Sequence, residues 1–340
     1  MLISHHLINL KNCFMKRNLL LAIFLCFGVA LIAQKSDRES PYRTESFSTS
    51  AIKNLKVETS GGSIKVRGGE QDGKVEMYVT PNNWGDRKTK SEIQQILAEY
   101  YDIDLRTQGG TLTATAKRKN IQWSNKTALN ISFIVYSGNQ VDADIRTSGG
   151  SLNVQNIEGE VTGKTSGGSI TVKNLSKNID LTTSGGQINA DDLTGTVKLN
   201  TSGGSLHLSN LSGTVTARTS GGSISAKNIN GDFNTETSGG SIHLKEIDGN
   251  LNARTSGGQI TAGLKATRDF VKLHTSGGSI HLNMPETKDA QLDLKGDKVR
   301  ISELRNFSGT VKKDRVKGSL GKGNLVVEAS TSGGSVNVTM

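Results

Sequence analysis

The sequence predicts an all-β protein, a single-stranded parallel β-solenoid (a β-helix of 18-residue coils) with an N-terminal cap that contains one short helix. Three observations predict it. Thr-Ser-Gly-Gly recurs at Thr147, Thr165, Thr183, Thr201, Thr219, Thr237 and Thr255 in steps of 18 residues, and again at Thr275 after a step of 20. Within each unit apolar and polar residues alternate with period two, as a strand with one buried face requires. The composition, 40 glycines among 340 residues with only 4% aromatics and 34% hydrophobics, supplies many bends and a thin core.

Taken along the chain, residues 1–33 read as a signal peptide. Met15-Lys16-Arg17-Asn18 is a basic start, Leu19 to Ile32 an apolar run, and Ala33 the small residue before an expected cut. The run is too short for a spanning helix, which needs about 20 residues, and Met15 is an alternative start. Ile23-Phe24-Leu25 before Cys26 lacks the small residue that a lipoprotein signal places there. Both cysteines, Cys13 and Cys26, precede the cut. The mature chain is therefore expected to have neither disulfide nor thiol chemistry and no transmembrane segment.

Residues 34–146 are expected to form an N-terminal cap with its own core and the first irregular coils. They hold strand-like pieces and one helix from about Lys90 to Tyr100, where Ile93, Ile96, Leu97 and Tyr100 fall at helical spacing and Thr89 with Glu92 fits a capping box. Outlying repeats begin at Thr59 and Thr331, with a near-copy at Thr107-Gln108-Gly109-Gly110.

Residues 147–284 are the regular rod. One aligned column reads Ile170, Ile188, Leu206, Ile224, Ile242, Ile260, Ile280, and a second Val161, Ile179, Val197, Val215, Phe233, Leu251, Val271. A third alternates in bulk, Ala190, Leu208, Ala226, Leu244, Ala262, Leu282. A coil this small cannot bury such faces alone, so coils must stack. Paired glycines are expected to supply positive φ or close backbone approach at one bend, and Asn-Leu or Asn-Ile, a residue and Gly make the other. The crossover rule for parallel strands favours a right-handed coil. Residues 285–340 break the period as irregular C-terminal coils and cap, and Leu325 onward is expected to rejoin it as the last coil.

After the cut, 38 basic and 31 acidic side chains remain, an excess of seven spread as three, one and three over the three regions. A nucleic-acid binder would gather its charge into a patch beside aromatics. No specific nucleic-acid partner is expected.

The Thr-Ser-Gly-Gly-Ser-Ile coils, the cap with Trp123 and the segment Ile131 to Val141, and the closing Gly318-Ser-Leu-Gly-Lys-Gly resemble the bacterial putative-adhesin β-solenoid family, a toastrack-type domain of unknown function. The likeness covers roughly residues 50–340. It implies a solenoid in an exported or envelope protein and supplies no catalytic residues.

Chemistry is sparse in the pattern itself. Polysaccharide lyases and glycosidases need clustered carboxylates, whereas Asp191-Asp192, Asp102 with Asp104, and Asp142 with Asp144 read as solvated strand faces. His207, His243 and His281 share an outward column but stand two coils apart, too far for one zinc, and His274 reaches His281 only if two strands meet at an edge. Lys164, Thr182, Asn200, Arg218, Glu236, Arg254 and His274 form a second outward column, in which charges of alternating sign favour in-register stacking. The Thr165, Thr183, Thr201 column points inward or to a corner, against an ice-binding array. After residue 146 the only aromatics are Phe233, Phe270 and Phe307, which argues against sugar stacking on the rod.

The expectation is an exported, non-catalytic, adhesin-like or envelope scaffold protein with no catalytic, cofactor or metal residues. Its partners are an envelope or surface protein or glycan, and its place is the periplasm, the outer membrane surface or the extracellular space. A carbohydrate-active β-helix enzyme and an envelope-sensing module acting through protein partners are the alternatives.

Overall fold

Strands that bury one face but carry short side chains are stable only when each lies on the next, and the chain does this coil after coil. The computed structural model describes residues 40–82, 88–122, 124–302 and 304–340; the expected signal peptide, Trp84 and Trp123 lie outside them. Long strands run Ile170–Thr183, Ile188–Thr201, Leu206–Thr219, Ile224–Thr237, Ile242–Thr255 and Ile260–Thr275. Each pairs in parallel with its successor, and through Ile242–Thr255 the offset is 18 throughout, so that Ile188 stands on Leu206 and Leu206 on Ile224. All three are fully buried.

Each coil turns by two different devices. At the first, Asn174, Asp192, Asn210, Asn228 and Glu246 adopt φ between 53° and 59°, the left-handed region that short polar residues tolerate best. Leu175, Leu193, Leu211, Ile229 and Ile247 follow them into the core. Three residues beyond Asp192, Gly195 has φ 121°, and Lys177 holds the matching place one coil earlier at φ 82°.

The Thr-Ser-Gly-Gly bend is governed by close approach and not by positive φ. A Cβ on Gly186 or Gly204 would overlap the carbonyl oxygen of the matching glycine one coil below, well inside 3.0 Å. Backbone cannot yield as a flexible side chain can. The threonine completes the bend: Thr201 Oγ1 donates to Gly186 O at 2.8 Å and accepts from Gly204 N–H at 3.2 Å. The same pair of bonds recurs from Thr147 to Thr275. Each hydroxyl thus staples its coil to the one before.

At both ends the order along the stack departs from chain order. Asn54–Thr59 lies between Asp142–Thr147 and Thr111–Arg118, and Ile64–Arg67 between Leu152–Glu158 and Leu129–Tyr136. The first coil is therefore second from its end. Leu325–Thr331 lies between the second half of Ile260–Thr275 and Ala290–Lys295, while Ser335–Thr339 lies between Ile280–Asn283 and Lys298–Ile301. The Thr331 repeat is accordingly not the last coil, as its place in the sequence suggests, but the last but one.

Antiparallel strands close both ends. Tyr101–Gln108 pairs with Thr111–Arg118, Asp72–Pro81 with Leu129–Tyr136, and Arg43–Ser48 with Asp72–Pro81. At the other end Arg315–Leu320 pairs with Ala290–Lys295, and Phe307–Val311 with Arg315–Leu320. The near-copy at Thr107 belongs to this closure. Gly109 and Gly110, at φ 56° and 74°, make the tight turn of an antiparallel hairpin, whose twist favours positive φ at both central residues.

The helix Lys90–Tyr100 has a complete capping box between Thr89 and Glu92. It buries Leu97, with Ile93, Ile96 and Tyr100 partly covered. The buried Tyr101 hydroxyl that follows accepts from Leu129 N–H at 2.8 Å. Among the described residues one apolar cluster runs from Ile52 to Val338, so the buried side chains of this region are continuous with those of the rod. At about 1.5–3 kcal/mol for each large buried aliphatic side chain, this shared interior is the main favourable term.

Candidate interaction surface

Outward side chains stand in columns about 4.8 Å apart, the spacing of paired strands. His207, Ser225, His243, Thr261 and His281 follow one another in register, and the column continues to Asn337. The histidines stay two coils apart. His281 Nδ1 lies 3.3 Å from Asn337 Nδ2, and His274 Nδ1 lies 2.9 Å from Ser330 Oγ, so His274 and His281 each turn to the inserted C-terminal coil. Among the described residues no group of three or more His, Cys, Asp or Glu could hold a metal ion.

The carboxylates are engaged locally. Asp144 takes two hydrogen bonds from Arg146, Asp104 pairs with Arg106 at 3.1 Å, and Asp142 accepts from Glu160 N–H. Hydrogen bonds from Ser209, Lys173 and Asn210 hold Asp191 below the usual carboxylate range, while Asp192 occupies the left-handed corner. The Thr165, Thr183 and Thr201 side chains are buried; they face backbone and not solvent.

A polar cluster lies on the antiparallel N-terminal sheet. Burial pushes the Glu76 carboxyl up, but hydrogen bonds from Lys74 and Tyr78 outweigh it and leave the group below its ordinary range. Lys74 Nζ, 2.7 Å from Glu76, also sits 4.5 Å from the centre of the Tyr136 ring. Its bond to Glu76 raises its pKa.

The second outward column leads to a groove. Arg218 pairs with Glu236 at 3.5 Å, whereas Arg254, the next residue in register, has no ion pair or hydrogen bond among the described residues. Arg254 instead lines a 420 Å³ groove with Thr216, Asn234, Asn252, Phe270 and Lys272. Thr216, Asn234, Asn252 and Lys272 are successive register partners.

Phe270 is there because of the 20-residue step. Gly249 pairs with Thr267 and Leu251 with Val271, so Asn250 alone stands opposite Arg268, Asp269 and Phe270. Asn250 is 9% exposed and holds this bulge: its Oδ1 accepts from the N–H groups of Asp269 at 2.9 Å and Phe270 at 3.2 Å, and its Nδ2 donates to Asp232 and Asp269. Arg268 Nη2 donates to Asn230 Oδ1 at 3.2 Å. Phe233 lies in the core, as its column requires, and Phe307 is half-buried beside the glycines of the C-terminal hairpin. The irregular step and the late aromatic Phe270 were the sequence signals for this groove; Asn250 carried none.

Comparison with known proteins bears on the fold. Residues 232–339 match the model of the toastrack DUF4097 family, a span that takes in the bulge, the inserted coil and the C-terminal hairpins. A search of curated proteins finds no match. A crystal structure of a putative cell adhesion protein from Clostridium sporogenes is similar over 87% of this chain and 97% of that one, with 11% identity and a TM-score of 0.23. A superposition that poor carries no weight. The strand register shows a parallel β-solenoid, and residues 232–339 of it are similar to the toastrack DUF4097 family.

Proposed function

We propose that the protein is exported and acts by contact, as an adhesin-like or envelope interaction protein without catalytic activity. The observation that carries this reading is how the rod's polar groups are used. Threonine hydroxyls staple corners, and amide ladders such as Asn174 on Asn156 and Asn228 on Asn210 link neighbouring coils. Side chains committed in this way make a stiff, regular surface and leave few groups free for proton transfer, which needs a positioned acid or base of suitable pKa. Among the described residues no helix is long and apolar enough to cross a membrane.

Cell fractionation with protease treatment of intact cells tests the proposal. The expected result is a mature chain beginning at Gln34, recovered outside the cytoplasm and cut by added protease if it is displayed. Recovery from the cytoplasm with residues 1–33 attached would overturn it. Product release from a polysaccharide panel, abolished by changing Asp142 with Asp144 or Asp102 with Asp104, would favour an enzyme instead.

A further inference from the structure

The groove beside Phe270 differs from every other stretch of the regular rod in being built at a break in the repeat. Two extra residues are accommodated without loosening the stack, since Leu251 and Val271 resume the core register and both are fully buried. What the surplus accomplishes is to carry a benzyl side chain to the outer face. Asn250, itself nine-tenths buried, fixes the backbone that bears it. A site held this way binds without first having to order itself.

Asp232 also lines the groove, its Oδ1 accepting from Asn250 Nδ2 at 3.0 Å, and three further features bear on what fits. The Asn252 Oδ1 atom is screened from solvent and has no hydrogen-bond partner, while its Nδ2 donates to Asn234 Oδ1 at 3.2 Å. A water-sized group does not reach that oxygen, so a ligand hydroxyl meets the remaining amide hydrogens of Asn234 and Asn252. Among the described residues the Arg254 guanidinium has no ion-pair or hydrogen-bond partner, although Glu236 is its register neighbour, because Glu236 pairs with Arg218. A planar guanidinium matches a carboxylate through two parallel bonds. Lys272 lies 5.8 Å from the Phe270 ring centre and 3.6 Å from Glu328, so its charge is already shared.

We infer that this groove is a binding site for an acidic oligosaccharide, with a pyranose ring against Phe270, its hydroxyls on Asn234 and Asn252, and a carboxylate on Arg254. The inference rests on the contact function proposed above and names the ligand class and place. At 420 Å³ the groove falls in the range of small-ligand sites, about 300–1,000 Å³. The polar groups on its floor repeat at the strand spacing of about 4.8 Å, close to the length of one pyranose unit. A peptide adding as a strand would need free backbone groups, and the strands here are paired on both sides. Single-stranded nucleic acid would need further stacking rings.

Titration calorimetry on the mature chain, residues 34–340, tests it with tetragalacturonate and a hyaluronan tetrasaccharide as acidic probes and cellotetraose as the neutral one. The expected result is binding of at least one acidic probe, weakened about tenfold in Arg254→Gln and in Phe270→Ala and retained in Lys227→Ala on another face. Thermal melts of the variants should match the parent, because neither side chain belongs to the core. Equal binding of cellotetraose would overturn the acidic assignment. Binding unaffected by both groove variants would overturn the location, and no binding of either acidic probe at millimolar concentration would overturn the inference. The fractionation experiment would be untouched by any of these, so failure of the groove and failure of the exported contact role are separately visible.

Discussion

Between Leu152 and Thr275 each coil rests on its neighbour in sequence, whereas at both ends a terminal repeat is threaded between two others. In the middle the partner of a paired residue is 18 positions away, as Leu206 is from Ile188, until the bulge carries the offset to 20 between Leu251 and Val271. At the ends the bonded separations rise: Thr147 reaches Gly62 across 85 residues and Thr331 reaches Gly278 across 53. The corner chemistry is nonetheless shared, for both of these threonines donate to a glycine carbonyl at 2.7 Å. The repeat motif encodes a kind of contact, and separation along the chain is left open.

This difference explains why the ends are closed as they are. An exposed parallel edge invites further pairing. By placing the Thr59 and Thr331 coils inside, the chain leaves its least regular segments outermost, and those finish in antiparallel strands flanked by charge. Lys312 and Lys313 follow the edge strand Phe307–Val311, and Asp102, Asp104 and Arg106 lie on the edge strand Tyr101–Gln108.

The contrast can be broken most severely at the inserted coil. Deleting residues 325–340 removes the layer on which Ala290–Lys295 and Lys298–Ile301 rest. Hydrogen exchange should show amides of residues 290–320 losing protection almost completely while those of Ile188–Thr237 keep theirs. Equal loss in both would mean that middle and end form one cooperative unit.

A smaller but sharper effect is expected within the middle. Gly204→Val should destabilise by about 3 kcal/mol through overpacking against backbone, and Gly203→Ala by much less, since a Cβ there meets only ordinary contacts at 3.6 Å and beyond. Denaturant melts would compare the two. Thr201→Val should cost about 1–3 kcal/mol, because it strips a donor from Gly186 O and an acceptor from Gly204 N–H; Thr201→Ser should recover most of it.

The mildest test concerns acid at the N-terminal end. Glu76 has a lowered pKa in the folded protein, so its contribution is fully present above the unfolded carboxylate value and lost as pH falls through the folded one. Protection of Asp72–Pro81 should decline on acidification before that of the rod. Glu76→Gln should flatten this dependence, as followed by hydrogen exchange against pH.

Much of this molecule was legible in the residues. The Ile188, Leu206, Ile224 column and the inward threonines follow from period two laid on period 18. The groove was only half legible: the step to Thr275 marked an insertion and Phe270 was one of three late aromatics, yet nothing local told that Asn250 would clamp the bulge or that Glu236 would choose Arg218 over Arg254. The Thr107 near-copy misleads for a related reason. Paired glycines serve a hairpin through positive φ and a coil corner through lack of a Cβ, and the letters are the same.

The amino-acid order by itself determined the coil, its two kinds of bend and the interior columns, because those depend on residues within one period of each other and on side-chain size. Only the tertiary structure decided which coil lies next to which at the ends, which arginine Glu236 pairs with, and which ring faces outward. Those outcomes depend on competition among equivalent partners brought together from distant parts of the chain, and short-range pattern cannot rank them.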